Sequence, residues 1–121
     1  MECALCIPIV ILLMFATLET CSGIFLKESL TVAAFEGARV GVRRRATAED
    51  VIAQVEAVLE MREVVNATIT VDPSSFANLD ALDSITVSVT APTAGNSLYI
   101  FDFLAGRDVG SSVTMVREFD D

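Results

Sequence analysis

The sequence predicts a membrane-anchored α+β protein with a long N-terminal helix, a short second helix and a three- or four-stranded antiparallel sheet. Three observations lead to this fold class. Residues 3–26 are almost continuously apolar, residues 47–60 have the apolar spacing of a helix, and the remainder alternates apolar and polar residues between turn signals. A chain of 121 residues forms one small domain. We therefore predict a helical region, residues 1–45, followed by a soluble domain, residues 46–121.

The segment Cys3–Leu26 contains a single charged residue, Glu19. As a helix it would be about 36 Å long, enough to cross a hydrocarbon core of about 30 Å with some tilt. No base precedes the apolar run and no small-x-small cleavage site follows it, which favours a retained anchor over a cleaved signal peptide. The helix is predicted to continue to about Arg45, because no proline occurs between Lys27 and Arg45.

Small residues recur every four positions in the second half of this helix, at Ala33, Gly37 and Gly41. Such a stripe allows another backbone to approach closely. It predicts helix packing, and the sequence leaves two alternatives open: packing against another chain, or packing against the protein's own domain.

A second helix is predicted after Thr47, because Thr47 and Asp50 have the spacing of a capping box. Its apolar face consists of Val51, Ile52, Val55, Val58 and Leu59.

Strand patterning follows the second helix. The predicted strands are residues 67–71, 84–90 and 111–118, with Ile85, Val87, Val89, Val113 and Met115 directed inward. The segment Leu98–Leu104 is apolar without a clear period. It predicts a short fourth strand or a hydrophobic loop packed on the sheet.

The distribution of charge restricts the function. Residues 1–45 contain five bases and four acids, a net charge of +1, and residues 46–121 contain three bases and thirteen acids, a net charge of −10, which together give −9. So acidic a domain argues against nucleic acid as a partner, because phosphate binding requires a basic surface. The chain has no histidine and no P-loop, G-x-G-x-x-G or G-x-S-x-G motif, so we predict no catalytic residue, no cofactor and no enzymatic activity.

Metal binding is not favoured either. The three cysteines all lie within the apolar segment, so the domain has no thiolate cluster and no disulfide framework. Asp80 and Asp83 lie in a predicted loop, and carboxylates grouped in a loop can hold calcium, but the EF-hand spacing is absent. We interpret the two aspartates as a solvated turn and predict no metal site.

Two carboxylates, Glu2 and Glu19, belong to the membrane segment, about 25 Å apart along a helix. Charged groups within a bilayer pair, face protein or become protonated. For Glu19 two positions remain open, one in the headgroup zone and one in a helix–helix contact. For Glu2 the residues alone favour an exposed N-terminal position.

Several segments resemble the TadE-like and TadG-like family. They are Glu2-Cys3-Ala4-Leu5-Cys6-Ile7-Pro8 for the family's V-E-F-A-L-V-L-P, Leu18-Glu19 for I-I-E-F-G, Ser29-Leu30-Thr31-Val32-Ala33-Ala34-Phe35-Glu36-Gly37-Ala38-Arg39 for A-L-T-x-A-A-R-E-G-A-R, and Thr114-Met115-Val116-Arg117-Glu118 for T-M-x-R-E. The resemblance implies a pilin-like fold.

The resemblance also implies a function, namely a non-enzymatic minor pseudopilin that takes part in assembly of a tight-adherence (Flp) pilus. The expected partners are other pilins or pseudopilins, the inner-membrane assembly platform, membrane lipid, and a prepilin peptidase that removes a basic leader. Glu2 is implied to pair with the N-terminal amine of a neighbouring subunit. The expected location is the bacterial inner membrane, with one span and a periplasmic domain; whether the protein enters the fibre stays open.

The orientation depends on that leader. The bases Lys27, Arg39 and Arg43–Arg45 follow the span, which by the positive-inside rule would place the domain in the cytoplasm. A basic leader upstream of Met1 would reverse this balance, and we expect one. The alternative function is a single-span periplasmic binding domain unrelated to pili, with a ligand near Leu98–Leu104.

Overall fold

A computed structural model describes residues 1–77, 82–96 and 106–118 of the chain. The elements in order are α1 (Glu2–Gly41), α2 (Ala48–Met61), β1 (Thr68–Asp72), β2 (Ser84–Pro92) and β3 (Asp108–Val116). The predicted α+β class, with a long apolar helix, a short helix and an antiparallel sheet, is confirmed. The segment Leu98–Leu104 and Asp80 lie outside the described residues, so the predictions made for them stay predictions.

α1 is a single helix of 40 residues, with Pro8 inside it, and is about 60 Å long. It ends at Gly41, four residues before the predicted end. The last turn closes with hydrogen bonds from the Val42 N–H to the Ala38 carbonyl and from the Arg43 N–H to the Val40 carbonyl, each 3.1 Å. Arg45 then has a φ of +61°, which a right-handed helix does not accommodate. The turn between the helices therefore begins earlier than the sequence suggested.

The capping box predicted for α2 is present. The Asp50 N–H donates to Thr47 Oγ1 (3.2 Å), and the Thr47 N–H donates to Asp50 Oδ2 (3.0 Å). These two bonds satisfy backbone donors that the first turn of a helix leaves without an intrahelical acceptor. They determine where α2 begins.

The described strands form an antiparallel sheet in the order β1-β2-β3, with Val71 opposite Val87 and Val87 opposite Val113. The alternation in β2 is as predicted, since Ile85 and Val89 are buried along with Val87. β3 begins three residues before its predicted start. Val113 and Met115 are half-buried and pack on the core, as predicted.

The core lies where α1 meets α2 and the sheet. Its fully covered members come from all three layers and are Leu30, Ala33, Ala34, Ala38, Val51, Val55, Ile85, Val87 and Val89. α2 runs back along α1, because Gly41 is next to Val51 and Gly37 is next to Val55. The domain is thereby built directly on the second half of α1.

Candidate functional site

α1 divides into two segments with opposite surroundings. In residues 2–18, here called the free segment, every residue is exposed except the half-buried Ala16. In residues 19–41, called the packed segment, nine residues are buried at helical spacing. The division falls between Leu18, which is 47% exposed, and Glu19, which is 0% exposed.

The free segment has the surface of a membrane span. Over the described part of the chain, α1 is the one helix long and apolar enough to cross a bilayer, and its most apolar 18-residue window has a mean hydropathy of 2.2 with 6% of that window buried. Leu13 and Met14 are 59% and 60% exposed. So many exposed aliphatic side chains are costly in water, whereas a hydrocarbon core receives them favourably. The helix is thus consistent with a single-pass anchor.

The stripe of small residues packs against the protein's own domain. Ala33 is fully buried. A Cβ atom at Gly37 would lie 2.3 Å from Val55 Cγ2, and one at Gly41 would lie 3.0 Å from Val51 Cγ2. Only a glycine allows α2 to approach so closely at Gly37. Of the two alternatives that the sequence left open, the structure shows packing within the chain.

Glu19 is enclosed by the protein. Its residue exposure is 0%, and it takes part in an interaction within the chain. Enclosure by protein is one of the arrangements that make a carboxylate tolerable at membrane depth. This position differs from both of the positions considered from the sequence, because the side chain is covered by its own fold. A role for Glu19 in assembly stays a prediction.

Glu2 lies in the exposed first turn of α1. A negative charge there interacts favourably with the N-terminal end of the helix dipole. Glu2 is exposed near the N-terminal end of the free segment, so a neighbouring molecule can reach it. Pairing with the amine of another subunit stays a prediction.

Two further residues of α1, for which the sequence predicted no role, attach it to β3. Lys27 Nζ donates a hydrogen bond to the Gly110 carbonyl. The hydroxyls of Thr31 and Ser111 are hydrogen-bonded at 2.9 Å. Lys27 and Thr31 are four residues apart and lie on the same side of the helix as the buried Ala34. This spacing is the signal in the sequence that could have indicated their contact with the domain.

Arg117 is fully buried, and the sequence predicted no role for it. Its N–H donates to the Asp83 carbonyl (2.9 Å), and its carbonyl accepts from the Leu82 N–H (2.7 Å). The period of two that directs Val113 and Met115 inward also directs residue 117 inward, so the strand pattern contained this information. Arg117 takes part in a further interaction within the chain.

The absence of a metal site stays a prediction, since Asp80 lies outside the described residues. Asp83 is half-buried, and its carbonyl accepts from the Arg117 N–H. In residues 1–77, 82–96 and 106–118, no group of three or more Cys, Asp or Glu side chains is arranged to hold a metal ion.

Comparison with known proteins gives a family match. The family model of TadE-like protein matches residues 1–39, about a third of the 121-residue chain. No curated protein matches the chain. No solved structure matches it. The matched residues comprise the free segment and most of the packed segment, and they include Glu2, Glu19 and Gly37. This match confirms the resemblance found in residues 1–39, whereas the resemblance found at Thr114-Met115-Val116-Arg117-Glu118 stays a prediction. The match supports membership of the chain in the TadE-like family.

Proposed function

We propose that the protein is a minor pseudopilin that takes part in assembling a tight-adherence pilus. The observation that carries the proposal is the family match over residues 1–39, on a helix whose free segment is apolar and exposed. TadE-like membership indicates involvement in the tight-adherence pilus system. The pseudopilin role, without any enzymatic step, is the finer part of the proposal.

In this function α1 inserts its free segment into the inner membrane and presents Glu2 to a neighbouring subunit. A carboxylate buried among helices is unstable alone and is stabilised by an ammonium group close to it. The packed segment, residues 19–41, holds the domain through buried contacts. Because both segments belong to one continuous helix, a force applied to the span moves the domain with it.

The proposed partners are other pilins or pseudopilins and the inner-membrane assembly platform, together with a prepilin peptidase that acts on a leader. The proposed orientation places the domain in the periplasm. Fusion of alkaline phosphatase to the C-terminus would test the orientation, because this enzyme is active only after export. Activity of the fusion supports a periplasmic domain, and an inactive but membrane-bound fusion contradicts it.

Pilus assembly is tested by deleting the gene in its bacterium and counting surface fibres by electron microscopy. Deletion should remove the fibres, and the wild-type gene should restore them. Glu2→Gln keeps the size of the side chain and removes its charge, so it should restore few fibres. Glu60→Gln, an exposed residue of α2, is the matched control and should restore them fully.

The experiment tests the role in assembly and the pairing of Glu2 separately. Normal fibres in the deletion strain would contradict a role in assembly and favour an anchored binding domain instead. Loss of fibres on deletion, with full restoration by Glu2→Gln, would retain the assembly role. It would reject only the pairing of Glu2 with a neighbouring amine.

A further inference from the structure

The course of α2 determines which end of the domain faces the membrane. α2 runs antiparallel to α1, so that Gly37 lies beside Val55 near the middle of α2. At the end of α2, Arg62 shares an open cleft with Lys27 and Val32 of α1. The C-terminal end of α2 therefore lies on the side of the domain that is closest to the free segment.

Four residues on that side form what we call the membrane-facing end, namely Lys27, Met61, Arg62 and Val65. All are exposed, Met61 by 83% and Val65 by 47%. The backbone of Val65 is held in place by Asn96, whose Oδ1 accepts from the Val65 N–H (2.7 Å) and whose Nδ2 donates to the Val65 carbonyl (2.8 Å). The exposed apolar side chains are thus presented by an ordered surface.

When the free segment occupies the hydrocarbon core, the membrane-facing end lies close to the bilayer surface. Residues 2–18 span about 26 Å, somewhat less than the roughly 30 Å of a hydrocarbon core. Glu19, the next residue, is already fully covered by the fold. Lys27 lies about 14 Å beyond Leu18 along the helix axis, so its backbone stands a few ångströms outside a headgroup layer about 5–8 Å deep. A lysine side chain is long enough to reach back to that layer.

The chemistry of the membrane-facing end suits an interface of that kind. Lys and Arg side chains place their apolar stems along a lipid surface and their charges at the headgroups, and exposed apolar side chains enter the boundary region. Lys27 and Arg62 face the same cleft, where Glu28 also contributes to the lining. A pair of bases attracts anionic headgroups over a short distance.

We propose that the membrane-facing end rests on the lipid headgroups and that Lys27 and Arg62 bind the phosphates of anionic lipids. The surface then fixes the tilt and rotation of the domain relative to the bilayer. The inference rests on the proposed anchoring by α1, and the test is designed to separate the two.

The test uses the full chain in phosphatidylcholine vesicles, with Cys3, Cys6 and Cys21 replaced by alanine because all three are exposed. A fluorophore is attached to one new cysteine at a time, at Val65→Cys or at Val116→Cys. Quenching by lipids with a nitroxide on the headgroup reports contact with the membrane surface. The two sites are matched, since Val65 is 47% and Val116 is 50% exposed, but Val116 lies at the far end of the domain, beside Val42.

The expected result is strong quenching at position 65 and little at position 116. Equal quenching at the two sites, or none at position 65, would overturn the inference. A third label at Met14→Cys, within the free segment, is quenched by lipids with a nitroxide deep in the acyl chain when α1 is inserted. Absence of quenching at position 14 would overturn the anchoring itself. Quenching at position 14 without quenching at position 65 would overturn the inference alone.

The role of the two bases is tested by adding phosphatidylglycerol to the vesicles. Quenching at position 65 should rise by about twofold or more, because the anionic surface attracts Lys27 and Arg62. The Lys27→Gln, Arg62→Gln variant should lose this rise and retains a donor toward the Gly110 carbonyl. The control variant Arg43→Gln, Arg44→Gln removes two bases from the opposite end of the domain. The rise in quenching at position 65 should persist in this variant. A rise that persists in the first variant would overturn the assignment of these bases.

Discussion

The free and packed segments of α1 are consecutive parts of one helix, and both are rich in apolar residues. In the free segment Leu12 and Leu13 are 49% and 59% exposed, whereas in the packed segment Leu26 and Leu30 are 2% and 0% exposed. The difference teaches that apolar composition does not by itself distinguish a membrane span from a core helix. What distinguishes them is whether their apolar side chains pack against the protein's own domain or remain exposed.

Side-chain size reflects this difference in surroundings. The packed segment combines leucines with small residues, at Gly37 and Gly41 among others, because α2 and the sheet approach its backbone closely. The free segment has large aliphatic side chains all round, as lipid requires no specific fit. Truncating an apolar side chain should therefore destabilise the domain when the residue lies in the packed segment. The same truncation in the free segment should leave the stability of the domain unchanged.

The largest expected effect is that of Leu30→Ala. Leu30 is fully buried between layers of the core, and its truncation leaves a cavity. We expect the free energy of unfolding of the domain to fall by about 2–5 kcal/mol. Urea unfolding of the full chain in detergent micelles, followed by pulse proteolysis of the domain, measures it.

Leu12→Ala is the control from the free segment. The same atoms are removed, but from a residue that is 49% exposed and outside the domain. The urea midpoint should stay that of the wild type. If both leucines gave the same loss, the free segment would be coupled to the folding of the domain, and the division of α1 into two segments would be wrong.

A smaller loss is expected for Gly37→Ala. The added Cβ would lie 2.3 Å from Val55 Cγ2, so either the side chain or the helix must move. Overpacking costs about 1–3 kcal/mol, which exceeds the roughly 1 kcal/mol that alanine gains over glycine in a helix. The net loss of stability is measured in the same unfolding assay.

A double-mutant cycle identifies the contact responsible. In a Val55→Ala background the methyl group that collides with the new Cβ is absent, so Gly37→Ala should no longer cost stability. Gly41→Ala is a graded comparison, because its Cβ would be 3.0 Å from Val51 Cγ2 and should cost less. An unchanged cost of Gly37→Ala without Val55 would show that another contact determines the packing.

Much of the fold could be predicted from local patterns. The capping box at Thr47 and Asp50 located α2, and alternation along residues 84–90 identified the central strand and its inward face. Both are decided by neighbouring residues, which a sequence displays directly. The end of α1 was predicted four residues too late, because residues 42–45 contain neither glycine nor proline, although Arg45 has a φ of +61° that ends the helical path.

The candidate site was less accessible to prediction. Glu2 and the stripe at Gly37 were recognised from spacing and from the family resemblance. The burial of Glu19 and the bond from Lys27 to the Gly110 carbonyl depend on which parts of the chain return to α1. Such contacts join residues far apart in the sequence, and no local period records them. The sequence could not distinguish the two interpretations of the small-residue stripe either, because the residues that pack against the stripe are also distant in the sequence.

An effect of about 1 kcal/mol is expected for Thr47→Ala, which removes the acceptor for the Asp50 N–H at the start of α2. Thr17→Ala is the matched change in the free segment, where the hydroxyl donates to the Leu13 carbonyl of its own helix (2.8 Å). The urea midpoint of the domain should fall for the first variant and not for the second. Equal midpoints would mean that the capping box does not contribute to the stability of α2.

The smallest effect concerns the outer face of the packed segment, where Arg39 and Glu36 approach to 4.0 Å and their side chains are 63% and 34% exposed. In so solvated a position the pair contributes little, and Arg39→Gln should change the free energy of unfolding by about 0.5 kcal/mol or less. A loss comparable to that of Gly37→Ala would mean that the outer face also supports the domain. An unchanged domain stability combined with fewer surface fibres would instead assign Arg39 to a contact with another molecule. Since the inner face of this segment is occupied by its own domain, the outer face is the one that remains available for such a contact.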